Sequence, residues 1–398
     1  MKDYILYQNG SMFAYAASIA ATWIWAPAIF VSSGSAYFNG IWGLLFFLVP
    51  NVLTLVLFPY FAKMVRERMD GYTVTDAIDS APNEQKKLHL LISTIVLICS
   101  TTVQLIGVST LFSAIVGIPS TISIICIAII SYLLVGDSGL RGSVRTDAIK
   151  WVIMLVFGLV LLHSNMAANP LVINLNGLNN PNPWDLFLSF GLPTAIGLLC
   201  APYVDQTFWQ RVFSIKKDDI KKTFFYSAVM FGIIPLMFGV IGLEQSITDP
   251  TWNIGKAFSG GILSVILAIC VLAALISTID SNLCAISAIT MKEFNKPLSW
   301  GKWSMKILLV FASIIGMMQV VTIAQMFLIY GTIRTCIAIP TILIILNRYD
   351  RKRLFYATLA TAIIAPIGFI LSTDNKFIFT LIAFALPILG YKGGQENG

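Results

Sequence analysis

Charge is what this chain has least of. Only 11% of its 398 residues are charged, against about 25% in a soluble domain, too few to coat a water-facing surface. Histidine is nearly missing as well: His89 and His163 are the only two. No HExxH occurs and no paired acids suited to catalysis stand within the apolar runs, so the chain is not expected to be an enzyme. CxxC spacing is absent. Cys99, Cys126, Cys200, Cys270, Cys284 and Cys336 all lie inside apolar runs and read as small packing residues. Strand-like alternation is lacking, which excludes a β-barrel. Met1 to Asn9 is polar, and the run after it has neither a basic lead nor a small-residue cleavage site, so no cleavable signal is expected.

What is present is apolar, at 57% of residues and a mean hydropathy of +0.82. The apolar runs recur from end to end without a polar block, so a single membrane domain over 1–398 accounts for the length better than two or three soluble ones. A spanning helix needs about 20 mostly apolar residues. Twelve such runs are found, at 12–36, 40–62, 88–116, 119–136, 147–166, 185–213, 220–243, 259–290, 303–322, 325–346, 354–372 and 376–391. With the N-terminus inside, 23 of the 26 basic residues fall on cytoplasmic segments, Lys150 and Arg211 among them. Lys256 and Lys376 are left outside, and Arg334 lies within a span. One helix more or fewer would scramble that alternation, so both termini are expected to be cytoplasmic, in a plasma (inner) membrane. The net charge of +7 is thus an orientation signal, and no nucleic-acid partner is expected. The partners are the lipid bilayer and a small solute; oligomeric state is not encoded in any pattern found.

Helix breaks survive in a bilayer only where they line a cavity or are buried in protein. The first span carries Pro27 near its middle, and the sixth carries Pro193, Gly197 and Pro202. The two lie five helices apart in chain order, as in transporters whose binding site lies between inverted repeats. In the eighth span Ser277 and Thr278 put adjacent hydroxyls into an apolar helix, followed by Asp280, Ser281 and Asn282. Sodium is a hard cation that takes oxygen ligands, and carbonyls freed by a broken first helix could face those hydroxyls.

Four segments carry a resemblance. LAALISTIDSNLCAISAIT resembles the signature helix of the sodium:solute symporter family, and YVDQTFWQRVFSIKKDDIKK resembles its DQ-x-x-x-QR segment with a basic tail. GSVRTDAIKW is similar to its glycine-rich lead into a Thr-Asp pair, and ATWIWAPAIFVSSGSAYFNGIWG to its first core helix, closest to the urea and polyamine branch. The resemblance implies an all-α membrane fold of about 12 transmembrane helices, with a five-plus-five inverted-repeat (LeuT-type) core over 1–346 and two additional helices over 347–398. It implies sodium as coupling ion, held by the backbone carbonyls of Ala21, Ile24 and Ala274 and the hydroxyls of Ser277 and Thr278, with Asp147 on the inward sodium exit path. Members usually carry an extra helix before the first core helix, and here the core begins without it. Ala28 stands where sugar-transporting relatives place a glutamine, and Trp23 where proline-transporting relatives place an aspartate, so neither solute is favoured.

Polar residues inside spans are costly and functional by default. Asn51, Gln104, Asp205, Gln206, Gln319 and Arg334 stand out; Trp23, Gln104, Asp205, Gln206 and Arg334 are the candidate substrate residues. Arg334 cannot shed its charge, so it needs a carboxylate or a water-filled cavity, and pairing with Asp205 or with a substrate carboxylate is the expectation. The expected function is sodium-coupled symport of a small polar organic solute by alternating access. The alternatives are a proton-coupled permease of the same fold using Asp147, Asp205 or Asp280, and a transporter-like nutrient sensor, against which stands the lack of a signalling domain after Lys392.

Overall fold

The computed structural model describes residues 2–135, 139–168, 182–245, 249–372 and 375–393; the end of the fourth span at 136 lies outside them. Among the described residues nine helices are long and apolar enough to cross a membrane, and Met12–Trp23, Ser120–Val135 and Phe377–Gly390 are shorter apolar helices. The helix Ala26–Arg68 has 43 residues, about 65 Å at 1.5 Å per residue and roughly twice the hydrocarbon thickness. It is divided by Gly40, whose φ of 61° a side chain would resist. Its two parts complete the first span and form the second. The twelve spans therefore stand as expected, with most helices running a few residues past the apolar limits, as in Asn83–Val116, Gly139–Ala168 and Gly261–Glu293.

The fold is inside-out relative to a soluble protein. Leu371 is 76% exposed, and Ile262, Leu133 and Ile149 are similarly bare, while Asp147, Arg211 and Asp205 are buried. A contiguous apolar exterior of this kind needs lipid, and the chain is an integral membrane protein.

Both interrupted helices open a set of five. The first span stops at Trp23 and resumes at Ala26, with Ile24 and Trp25 out of helical geometry. The break thus precedes Pro27, which occupies the first turn of the second half, where a missing N–H costs nothing. The sixth span stops at Val204 and resumes at Gln206, after rather than at Pro202. Asp205 caps the short second half through Thr207, accepting from its N–H at 3.0 Å and its hydroxyl at 2.7 Å.

Small residues let these helices approach. A Cβ on Gly197 of the sixth span would lie 3.0 Å from the Cα of Gly331 on the tenth, a bare backbone contact that brings Arg334, one turn further, beside Asp205. On the seventh span a Cβ at Gly242 would lie 2.1 Å from the carbonyl oxygen of Ser33. Gly242→Ala is therefore expected to lower stability by about 1–3 kcal/mol, read as a lower melting temperature in detergent. Gly34→Ala, which meets nothing within 4 Å, should leave it unchanged.

Candidate functional site

The two breaks and the eighth span meet in the middle of the bundle. Because the first half-helix ends at Trp23, the carbonyls of its last turn have no onward helical partner. The Thr22 carbonyl instead accepts the Thr278 hydroxyl at 3.0 Å, and that hydroxyl also reaches the Ala274 carbonyl at 3.4 Å. The contact falls on Thr22, between Ala21 and Ile24. Ser277, beside Thr278, donates to Asp147 at 2.6 Å. The donor set is all oxygen, both neutral and carboxylate, and suits a hard cation such as sodium. Among the described residues no group of three His, Cys, Asp or Glu could hold a transition metal.

Asp147 is fully buried and shared among four helices. It accepts from Ser18 at 2.6 Å and lies 3.3 Å from Arg211 and 3.7 Å from Lys150. Arg211, on the short half-helix Gln206–Ser214, also donates through Nη2 to Thr22 at 2.7 Å and Ser281 at 2.8 Å, through Nε to Ser18 at 3.0 Å and through Nη1 to the Thr207 carbonyl at 2.9 Å. Lys150 pairs with Asp280 at 2.5 Å. Two carboxylates and two cations thus balance within one buried cluster, the condition under which charge is tolerated in a low dielectric. Lys150 and Arg211, at the cytoplasmic ends of their spans by the charge alternation, are buried rather than solvated: Arg211 is 1% exposed, and the side chain of Lys150 is 14% exposed. The signal that could have found this cluster is a four-residue spacing of polar side chains on three helices: Ser18 with Thr22, Ser143 with Asp147, and Ser277 with Ser281. Such pairs share a helix face.

The second break holds the other buried pair. Arg334 donates to Asp205 at 2.8 Å, and its guanidinium lies 3.9 Å from the Tyr330 ring centre, 5.4 Å from Trp25 and 5.8 Å from Trp23. Trp23 and Trp25 stack at 5.8 Å. These residues line a cavity of about 10 Å³ together with Thr22, Thr207, Thr278 and Asn282, barely room for one water. Phe327 packs edge-on against Trp25.

Beyond that aromatic layer opens a vestibule of about 730 Å³, between Phe30–Phe38, Ile106–Thr110, Leu186–Phe190, Trp252 and Gln319–Ala324. Its rim is braced by Trp252 stacked on Tyr37 at 4.5 Å. On the adjoining loop Lys256 and Thr251 hold the Asp249 carboxyl down, to about 2. At the other end of the eighth span Glu293 accepts from the hydroxyls of Thr73 and Thr75.

The remaining polar candidates lie elsewhere. Gln206 accepts from the Val74 N–H at 2.7 Å and donates to the Tyr72 carbonyl at 3.1 Å, holding the connection between the second and third spans, away from the cavity. Asn51 bonds back to Phe47, and Gln319 is on the vestibule wall. Gln104 accepts at 2.7 Å from the N–H of Ala26, the first residue of the resumed helix. Gln104→Leu strands that buried donor and is expected to cost about 1–3 kcal/mol, seen as a lower melting temperature.

No family model matches the chain, and no curated protein matches it in sequence. Solved structures share its fold. A Na+-coupled sialic acid symporter in a substrate-bound outward-open state is similar at a TM-score of 0.76 and 15% identity, covering 98% of this chain and 90% of that one. A nucleobase-cation-symport-1 family transporter, closed with bromovinylhydantoin bound, is similar at 0.63 and 14%, over 98% and 94%. The manganese transporter of Eremococcus coleocola is similar at 0.58 and 13%, over 97% and 89%. The architecture is the all-α LeuT-type fold; identities this low carry nothing about ion or solute.

Proposed function

We propose that this protein is a secondary transporter of the sodium:solute symporter family, carrying sodium and a small polar organic solute together by alternating access. The observation that carries the reading is the Thr278 hydroxyl on the Thr22 carbonyl at the first break. Sodium is held there by the carbonyls of Ala21, Ile24 and Ala274 and the hydroxyls of Ser277 and Thr278, and leaves past Asp147. The solute binds where Trp23, Asp205 and Arg334 converge, below the aromatic layer, and the cavity of about 10 Å³ must widen to admit it, as alternating access requires. Residues 1–346 form the inverted-repeat core, and 347–398 add two helices and a tail. With both termini cytoplasmic in a plasma membrane, the vestibule faces outside and the charged cluster forms part of the inner closure.

Sodium biases the two states only through its differential affinity for them. One ion entering down about 100 mV gains about 2.3 kcal/mol, and a tenfold gradient adds about 1.4. Together these support several-hundredfold accumulation of a neutral solute. The test is a thermal-shift screen of purified protein against amino acids, urea, polyamines, carboxylates and sugars, in sodium and in choline. Stabilisation by one class that requires sodium is expected; stabilisation indifferent to sodium would remove the coupling. The pairing of Lys150 with both Asp147 and Asp280 favours a second reading, proton coupling through the same cluster. Uptake driven by a pH gradient with sodium absent would select it.

A further inference from the structure

The cavity at the second break is rich in donors that have nothing to bind. The indole N–H groups of Trp23 and Trp25 and the Nε of Arg334 are buried without a hydrogen-bond partner among the described residues, and all three side chains line the same space. Leaving such donors unmatched is expensive, so a ligand that completes the site must bring acceptors. The acidic residue there is already engaged: one oxygen of Asp205 holds Thr207 twice, and the other holds Arg334. The aromatic faces that could receive a cation are engaged too, because the Arg334 guanidinium lies over Tyr330, Trp25 and Trp23.

We propose that the solute is a small monocarboxylate, its oxygens bound by Arg334 and the two indole N–H groups and its apolar body seated against Trp23, Trp25, Tyr330 and Phe208. This rests on the reading of that cavity as the transport site and names its substrate class. Thr278 lines the same cavity, so a sodium ion held there enters beside the carboxylate and the two add no net charge. Opposite charges within several ångströms in a partly dry site attract strongly, and the coupling is reciprocal. Carboxylate affinity should be at least tenfold higher in sodium than in choline.

The experiment is binding to the purified full chain, by thermal shift and calorimetry. The probes are monocarboxylates from acetate to benzoate, their matching amides and amines, and glycine, each in sodium and in choline. Carboxylates alone among the first three are expected to bind, with sodium dependence. Arg334→Gln should abolish this binding while the shift produced by sodium alone remains. Trp25→Phe keeps an aromatic face but loses the N–H with its five-membered ring, so it should weaken carboxylate binding about five- to tenfold and lower the melting temperature, while the shift produced by sodium alone remains; it decides the matter if Arg334→Gln does not fold. Amides or amines binding as well as carboxylates, glycine binding with no simple carboxylate doing so, or full carboxylate affinity in Trp25→Phe would each overturn the proposal. A sodium shift with no carboxylate response sinks the substrate class alone. Carboxylate binding with no sodium effect sinks the coupling and leaves the class.

Discussion

In proteoliposomes with an imposed sodium gradient, the variant Ser277→Ala with Thr278→Ala is expected to lose concentrative uptake altogether. Under a tenfold sodium gradient, sodium and a monocarboxylate crossing together move no net charge, so the wild-type ratio of about tenfold, set by about 1.4 kcal/mol per sodium, should fall to equilibration. The reason is local. Thr278 supplies the hydroxyl that meets the broken end of the first helix, and Ser277 supplies the one bound to Asp147. Alanine removes both oxygens and leaves the helix, with its apolar packing, in place. Thr278→Ser keeps the hydroxyl and should retain most of the coupling, which separates ligand loss from repacking. Solute binding in the double alanine variant should persist at reduced affinity, because Trp23, Asp205 and Arg334 are untouched.

Arg211→Gln is expected to be the most destabilising single change in the charged cluster, by about 3–5 kcal/mol, the usual cost of breaking a buried pair from one side. Arg211 is 1% exposed and Asp147 fully buried, so water cannot replace the lost partner. Five donor contacts go with it, to Ser18, Thr22, Asp147, Thr207 and Ser281. Adding Asp147→Asn removes the stranded charge, and the double variant should recover part of the melting temperature. A double-mutant cycle reads that coupling directly. Additive losses, with no recovery, would mean that the two charges do not support each other. Since Arg211 ties the sixth span to the first, fifth and eighth, the variant should also lose transport even where it folds.

The spans were legible because lipid imposes a length and an apolar rule on every crossing, and the chain obeys both from Met12 to Gly390. Breaks in the right helices were legible for the same reason: Pro27 and Pro202 each lie within three residues of an interruption. The exact residues were not, because a proline at the first turn of a helix and one inside it look alike in sequence. Asp205 and Arg334 could be paired by charge alone, since each needs a partner in the bilayer. Gln206 could not be placed, because its amide is taken by backbone at Tyr72 and Val74, 134 and 132 residues away in the chain. The burial of Lys150 and Arg211 was not legible for a physical reason: basic residues near span ends normally stay solvated, and only the approach of four helices turns these two inward onto Asp147 and Asp280.

Equilibrium binding of radioactive sodium to the purified protein, with potassium as competitor, bears most directly on the cation pocket between the interrupted first helix and the eighth. Saturable sodium binding that potassium does not displace, present in the wild type and absent in Ser277→Ala with Thr278→Ala, is the predicted result. Wild-type protein that binds no sodium, or a double variant that binds it as tightly as the wild type, would contradict the account.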